Sequence, residues 1–300
     1  KNRNKDFYII RKLSNIGKDD HVHLEEQDGN KIEKTGEGNK IEKSGEEHKE
    51  NEKLEESSAS KESVENATLS ANERFPSAVL FGATCGGTII SANWVLTAAH
   101  CSLFWRGMSV LAGTGDSWSG SGVTRRAKRV VIHPLFTVGP YWLDADKYDI
   151  NQVAARWDFM LVELSSPLPL DGRTMVAAAL DDEIALEETP VGYGGYGAEH
   201  HGETMRHHMH AMELSVRADS ECAAALPQYN PRDMLCARGV PPRFDSACNG
   251  DSGSGLVSNG VVRGVLSWLQ DDSHRCFNGA LVVASRVSAA RDWIRQVTKI

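Results

Sequence analysis

An all-β fold, built as a double barrel or sandwich and closed by one C-terminal helix, is what this sequence predicts, on three observations. From about Ala71 onward, short apolar runs alternate with Gly, Pro and Asp, the lengths and punctuation of strands and turns. The last segment, Ser288 to Lys299, is the exception. It gathers Trp293, Ile294 and Val297 on one side of a helical projection and leaves Arg291, Arg295 and Lys299 elsewhere. Third, a compositional break sets the N-terminal region apart and leaves about 230 residues, an ordinary size for one all-β unit.

The apolar runs justify the strands in order. Examples are Ser77 to Phe81, Thr88 to Ile90, Trp94 to Thr97, Lys128 to Ile132, Phe159 to Leu164 and Val261 to Trp268. Ahead of them, Lys18 to Glu62 is dominated by Lys, Glu, Asn, Gly and Ser, and no aromatic residue stands between Tyr8 and Phe75. Such a segment cannot bury a core and reads as disordered. Within it Gly29 to Glu37 is nearly repeated by Gly38 to Glu46, too few copies for a solenoid. The expected organisation is therefore a charged leader or propeptide over 1–63 and a folded domain over 64–300.

The formal net charge of -8 gives no basic footprint for nucleic acid. No apolar run approaches the roughly 20 residues of a membrane-spanning helix, and no hydrophobic signal opens the chain. Numbering from Lys1 is taken as that of a chain without its signal peptide, and neither nucleic acid nor membrane is an expected partner. The cysteines are Cys85, Cys101, Cys222, Cys236, Cys248 and Cys276. Their even number suits disulfides, with many pairings open, and no zinc-site spacing appears among them. Asn66-Ala67-Thr68 is a glycosylation acceptor that agrees with a secretory route.

Three segments carry candidate chemistry. His100 lies in Thr97-Ala98-Ala99-His100-Cys101 after an apolar strand, and Asp158 opens the strand Phe159 to Leu164. Ser252 lies in Gly250-Asp251-Ser252-Gly253-Ser254-Gly255, where glycines permit a tight loop with converging amides. A serine nucleophile needs a base to take its proton, a carboxylate to hold the base, and amide donors for the oxyanion. The competing esterase pattern requires Gly-x-Ser-x-Gly and the order serine, acid, histidine. Neither condition is met.

Thr-Ala-Ala-His-Cys, then Asp before an apolar strand, then Gly-Asp-Ser-Gly resemble the chymotrypsin/trypsin-like serine proteases. The resemblance runs from about Val64 to Ile300 and includes Cys85-Gly86-Gly87-Thr88-Ile89-Ile90 and Ser267-Trp268. It implies a chymotrypsin-like double β-barrel and a secreted, extracellular serine endopeptidase made as a zymogen, without cofactor or metal. The implied partners are a protein or peptide substrate, an activating protease and a proteinaceous inhibitor. By similarity Cys85 pairs with Cys101, Cys222 with Cys236 and Cys248 with Cys276. Ser252 is then the nucleophile, His100 the base, Asp158 its orienting carboxylate, and the amides of Gly250 and Ser252 the oxyanion hole. Ser267 supports the buried aspartate, and Ser267 to Leu269 pairs with an extended substrate.

Several positions depart from the family pattern. The terminus expected to turn inward toward Asp251 falls at Val64, yet Lys61-Glu62-Ser63-Val64-Glu65-Asn66 lacks a basic residue just before it. Cutting after Lys61 would expose Glu62, whose carboxylate is costly to bury beside Asp251. A non-tryptic activator cutting after Ser63 resolves this; the alternative is a non-catalytic homologue with a regulatory or binding role. The pocket floor falls on Ser246, with Leu269 and Val282 on its walls, which argues for small apolar residues rather than Lys or Arg. An acidic loop carries Asp144, Asp146 and Asp149, read as a solvated surface without the glycine and distal glutamate of an EF-hand. The family's calcium loop looks shortened around Gly113 to Gly122. His200, His201, His207, His208 and His210 cluster in what resembles the autolysis loop, read as solvated.

Overall fold

The structure, a computed structural model, describes residues 69–103, 108–138, 154–180, 182–200, 203–270, 276 and 278–300. The leader 1–63, Val64, Asn66, His201 and the acidic loop with Asp144, Asp146 and Asp149 lie outside the described residues. The described residues all belong to the unit Glu56–Ile300.

Strands β1 (Ala78–Phe81), β2 (Cys85–Ser91), β3 (Trp94–Thr97), β4 (Ser109–Ala112) and β5 (Val123–Ile132) come first. The short pair β6 (Thr137–Val138) and β7 (Ala155–Arg156) follows, then β8 (Met160–Leu164). Six of these close a barrel in the order β1-β2-β3-β8-β5-β4. The second half supplies β9 (Ala179–Leu180), β10 (Pro190–Gly195), β11 (His210–Val216), β12 (Met234–Gly239), β13 (Gly255–Ser258), β14 (Val261–Leu269) and β15 (Val282–Arg286). Its sheet runs β13-β10-β11-β12-β15-β14, the β13–β14 pairing closes the ring, and β9 adds to β14 in parallel. The double barrel implied by the resemblance is therefore present.

Apolar residues of short strands fill each barrel. Phe81, Ile89, Val95, Val110 and Leu161 are fully buried in the first, and Leu256, Val282 and Ala284 in the second, where Tyr193, Leu214 and Leu235 are almost so. The C-terminal helix, Val287–Thr298, starts one residue before the expected stretch. Its Val287, Ala290 and Ile294 join the same apolar cluster as the first barrel and as Val262 and Val265 of β14. Trp293 packs against His133, ring centroids 4.8 Å apart, so the helix reaches from the second half of the chain onto the first barrel.

Two differences from the sequence reading have physical causes. Strand β5 begins at Val123, earlier than Lys128, because its first half is polar and partly exposed and carries no apolar run to betray it. Strand β10, Pro-Val-Gly-Tyr-Gly-Gly, is glycine-rich and carries no continuous apolar run to mark it. Its glycines make room for Phe75: a Cβ on Gly192 would stand 2.7 Å from the Phe75 ring and 2.7 Å from the Met212 carbonyl.

Ile294→Ala is expected to lower the unfolding free energy by about 2–5 kcal/mol, since a fully buried branched chain is lost at a helix-to-barrel contact. Urea unfolding followed by tryptophan fluorescence checks it.

Candidate active site

His100 sits in the 3-10 turn Ala99–Leu103 that follows β3, and Asp158 immediately precedes Phe159 and β8. Because β3 and β8 pair antiparallel, with Thr97 opposite Met160, the strands bring these residues together across 58 positions of sequence. His100 Nδ1 lies 2.6 Å from Asp158 Oδ2, and the His100 amide donates to Oδ1 at 2.8 Å. The Cys85–Cys101 disulfide ties the histidine turn to β2.

The second barrel completes the carboxylate's surroundings. Ser267 Oγ on β14 donates to Asp158 Oδ2 at 2.5 Å, and the Asp158 amide donates to Ser285 Oγ on β15 at 3.2 Å. Asp158 has no exposed surface. Burial alone would raise its pKa, but the His100 charge and the hydrogen bonds from His100 and Ser267 outweigh that, and the group is held below its ordinary value.

Ser252 lies just before β13, half-buried, in a loop clamped to both barrels. Its carbonyl accepts from the Gly86 amide on β2 at 2.8 Å, while Gly253 N donates to the Leu266 carbonyl at 2.8 Å. Gly253 has φ 84°, and a Cβ there would fall 2.2 Å from Thr97 Oγ1 and 2.5 Å from the Gly86 carbonyl. Only glycine fits so close an approach of serine loop and histidine strand. Gly250 also has positive φ, and Met205 covers the place a side chain would take.

Asp251 points inward. Its Oδ1 accepts from Gly197 N at 2.9 Å and its Oδ2 from Cys248 N at 3.0 Å and from the Tyr193 hydroxyl at 3.2 Å. Among the described residues it forms no ion pair, and burial pushes its carboxyl up to about 6 despite those donors.

The remaining candidates separate into two groups. Ser246, with Glu199, His200, Ala247, Cys248, Cys276 and Asn278, lines a pocket of about 290 Å³; its buried hydroxyl has no partner among the described residues. Leu269 and Val282 stand opposite each other in the β14–β15 register, Val282 fully buried and Leu269 half-buried. Trp268 is half-buried and packs against the apolar cluster that holds Cys222, Leu281 and Val283. Beyond Val265 the second edge of β14 meets no other strand among the described residues. Among the described imidazoles of the histidine-rich segment, His207 stacks on Trp118 at 4.5 Å and tilts against His208 at 4.3 Å, while His208 faces Asp116 at 3.8 Å. The grouping of Cys85, His100 and Cys101 resembles a ligand set, but its sulfurs are bonded to each other and supply no thiolate. All six cysteines pair as the resemblance implied.

The trypsin family profile matches residues 58–294, more than half of the chain. The chain belongs to the trypsin family of serine proteases. It is 64% identical over 231 residues to scolexin B of Heliothis virescens, covering 76% of this chain and 80% of that protein. To trypsin-1 of Gadus morhua it is 30% identical over 218 residues, covering 70% and 80%. Neuropsin, a serine protease expressed in the limbic system of mouse brain, shares the fold with a TM-score of 0.60 at 23% identity, over 73% of this chain and 92% of that one.

Sequence reasoning missed Ser285, which binds the Asp158 amide, and Met205, which roofs Gly250. The serine stands in the quoted Ser285-Arg286-Val287 stretch, but nothing in a sequence distinguishes it from any other strand serine.

Asp251 makes the stability of this trypsin-family chain pH-dependent, with a definite sign. Its folded pKa of about 6 lies above the ordinary 3.8, so between these values the folded state holds the extra proton. That contribution is full below the lower value and is lost as pH rises through about 6. His133, pushed down to about 4 by burial, acts in the opposite sense. The stability of the wild type relative to Asp251→Asn is therefore expected to fall from pH 4.5 to 7, with a slope approaching about 1.4 kcal/mol per pH unit. Urea unfolding of both proteins across that range checks it.

Proposed function

We propose that this trypsin-family chain is a secreted serine endopeptidase, made as a zymogen, that forms an acyl-enzyme on Ser252. The observation that carries the reading is the fully buried Asp158 holding His100 Nδ1 at 2.6 Å, with Ser267 behind it, at the junction where the Ser252 loop is clamped. Asp158 fixes the imidazole tautomer so that Nε2 can take a proton. Ser252 Oγ attacks the scissile carbonyl carbon as its proton passes to His100. The amides of Gly250 and Ser252 stabilise the oxyanion that forms. His100 then gives the proton to the departing amine. Water, deprotonated by the same imidazole, opens the ester and frees Ser252.

Substrate binds extended along the open edge of β14 at Ser267 to Leu269. Ser246 offers no charge to a basic side chain, and the family alignment that sets Leu269 and Val282 on the pocket walls supports a preference for small apolar residues. The three disulfides suit an oxidising compartment and support secretion. Activation follows release of the Val64 amino group, which supplies Asp251 with the cation that its amide and phenol donors do not. The sequence ahead of Val64 favours a second reading, a non-catalytic homologue, because no basic residue directly precedes it.

Fluorophosphonate labelling with intact-mass and N-terminal sequencing separates the two. The expected result is a labelled species beginning at Val64 and no label on Ser252→Ala; a Val64 species that stays unlabelled gives the second reading. In active protein, Leu269→Gly with Val282→Gly is expected to extend cleavage to aromatic residues by roughly tenfold or more, measured as kcat/KM on a peptide library.

A further inference from the structure

Just before Asp158 the backbone makes a turn that side-chain-bearing residues rarely adopt: Trp157 has φ 50°. The second barrel holds that turn. Asp233, fully buried just ahead of β12, accepts from Arg156 Nε at 2.8 and 3.0 Å and from Arg156 Nη2 at 2.5 Å. The same carboxylate accepts from the Trp157 amide at 3.0 Å. Its own backbone is pinned, because the Asp233 carbonyl accepts from the Arg286 amide at 2.8 Å and Arg286 Nε donates to the Met234 carbonyl at 2.9 Å. On the indole side, His133 stacks on Trp157 at 5.0 Å with 8° between the planes, and Trp293 closes on His133 at 4.8 Å.

A fully buried carboxylate is a poor device for stability alone, since its desolvation offsets most of what the pair gains. What a bidentate pair supplies is direction: two parallel bonds fix the plane of both groups. Here the fixed groups are the arginine two residues before Asp158 and the amide directly before it. Ser285 then takes the Asp158 amide itself, so the second barrel grips three successive residues of a segment that the first barrel carries. Its grip ends on the carboxylate 2.6 Å from His100.

We propose that Asp233 is a positioning residue for the His100–Asp158 pair: through Arg156 and the Trp157 amide it sets the turn that aims the Asp158 carboxylate at the imidazole. The proposal rests on the serine-peptidase reading for its kinetic consequences, not for its geometry. Asp233→Asn keeps the shape and removes the charge, while Arg156→Lys keeps the charge and removes the fork, at a side chain 35% exposed that tolerates exchange.

The experiment is made on the processed full-length protein and reads kcat, KM, the acid limb of the kcat pH profile and the low-field proton resonance of the His100 Nδ1–H. Both variants are expected to lose roughly ten- to a hundredfold in kcat at unchanged KM. The acid limb moves to lower pH as His100 loses its well-aimed carboxylate, and the resonance shifts or broadens. A lower melting temperature with kcat, acid limb and resonance unchanged would make Asp233 purely structural and overturn the proposal. If the wild type turns over no substrate, the peptidase reading fails by itself and the resonance decides: displaced in Asp233→Asn, the positioning role stands; unmoved, it falls.

Discussion

A negative charge kept wholly out of water at the seam of two barrels is the constraint on which the rest of this structure depends. Asp158 could not remain ionised there on burial alone. It does so because the first barrel gives it His100 through the β3–β8 pairing and the second gives it the Ser267 hydroxyl. Neither barrel alone satisfies it. The two therefore have to be held in register, and the structure does that with backbone contacts between Gly86 and Ser252, with the C-terminal helix reaching back to His133, and with Asp233 gripping Arg156 and Trp157.

What was legible in the sequence was what is written locally. Short apolar runs mark β1, β3 and β8 because both faces of these strands are covered, so nearly every residue is buried. The helix Val287–Thr298 is legible because one face meets the core and the other meets water. The histidine turn and the serine loop are legible because tight backbone there favours small residues, as the close approach of Gly253 to Thr97 requires. Six cysteines became three bonds only through a resemblance, since spacing left the pairings open.

What was not legible has a common physical cause: it is made by residues far apart in sequence whose individual types are unremarkable. Asp233 stands 77 positions from Arg156, and Ser285 stands 127 from Asp158. Both look like any aspartate before a strand and any strand serine. Met205 over Gly250 is a packing contact between two loops, with no pattern in either. Strand β10 hid for the opposite reason, because its glycines, chosen to let Phe75 and the neighbouring strand approach, erase the apolar alternation that marks a strand.

The same fold buries Asp158 fully and Asp251 almost so, and their titration moves in opposite directions. The difference lies in the donors. Asp158 faces an imidazole that can carry a charge, whereas Asp251 receives two backbone amides and a phenol, all neutral, and burial wins. Since Asp251 directly precedes Ser252, the group that controls its charge also controls the loop that carries the proposed nucleophile. An amino group brought beside it would turn the less favourable of the two carboxylates into a second buried ion pair, and the proposed oxyanion amides on either side of it would share the gain. On the proposed function the chemistry of the site is divided: the first buried charge is satisfied by folding, and the second would be satisfied by processing.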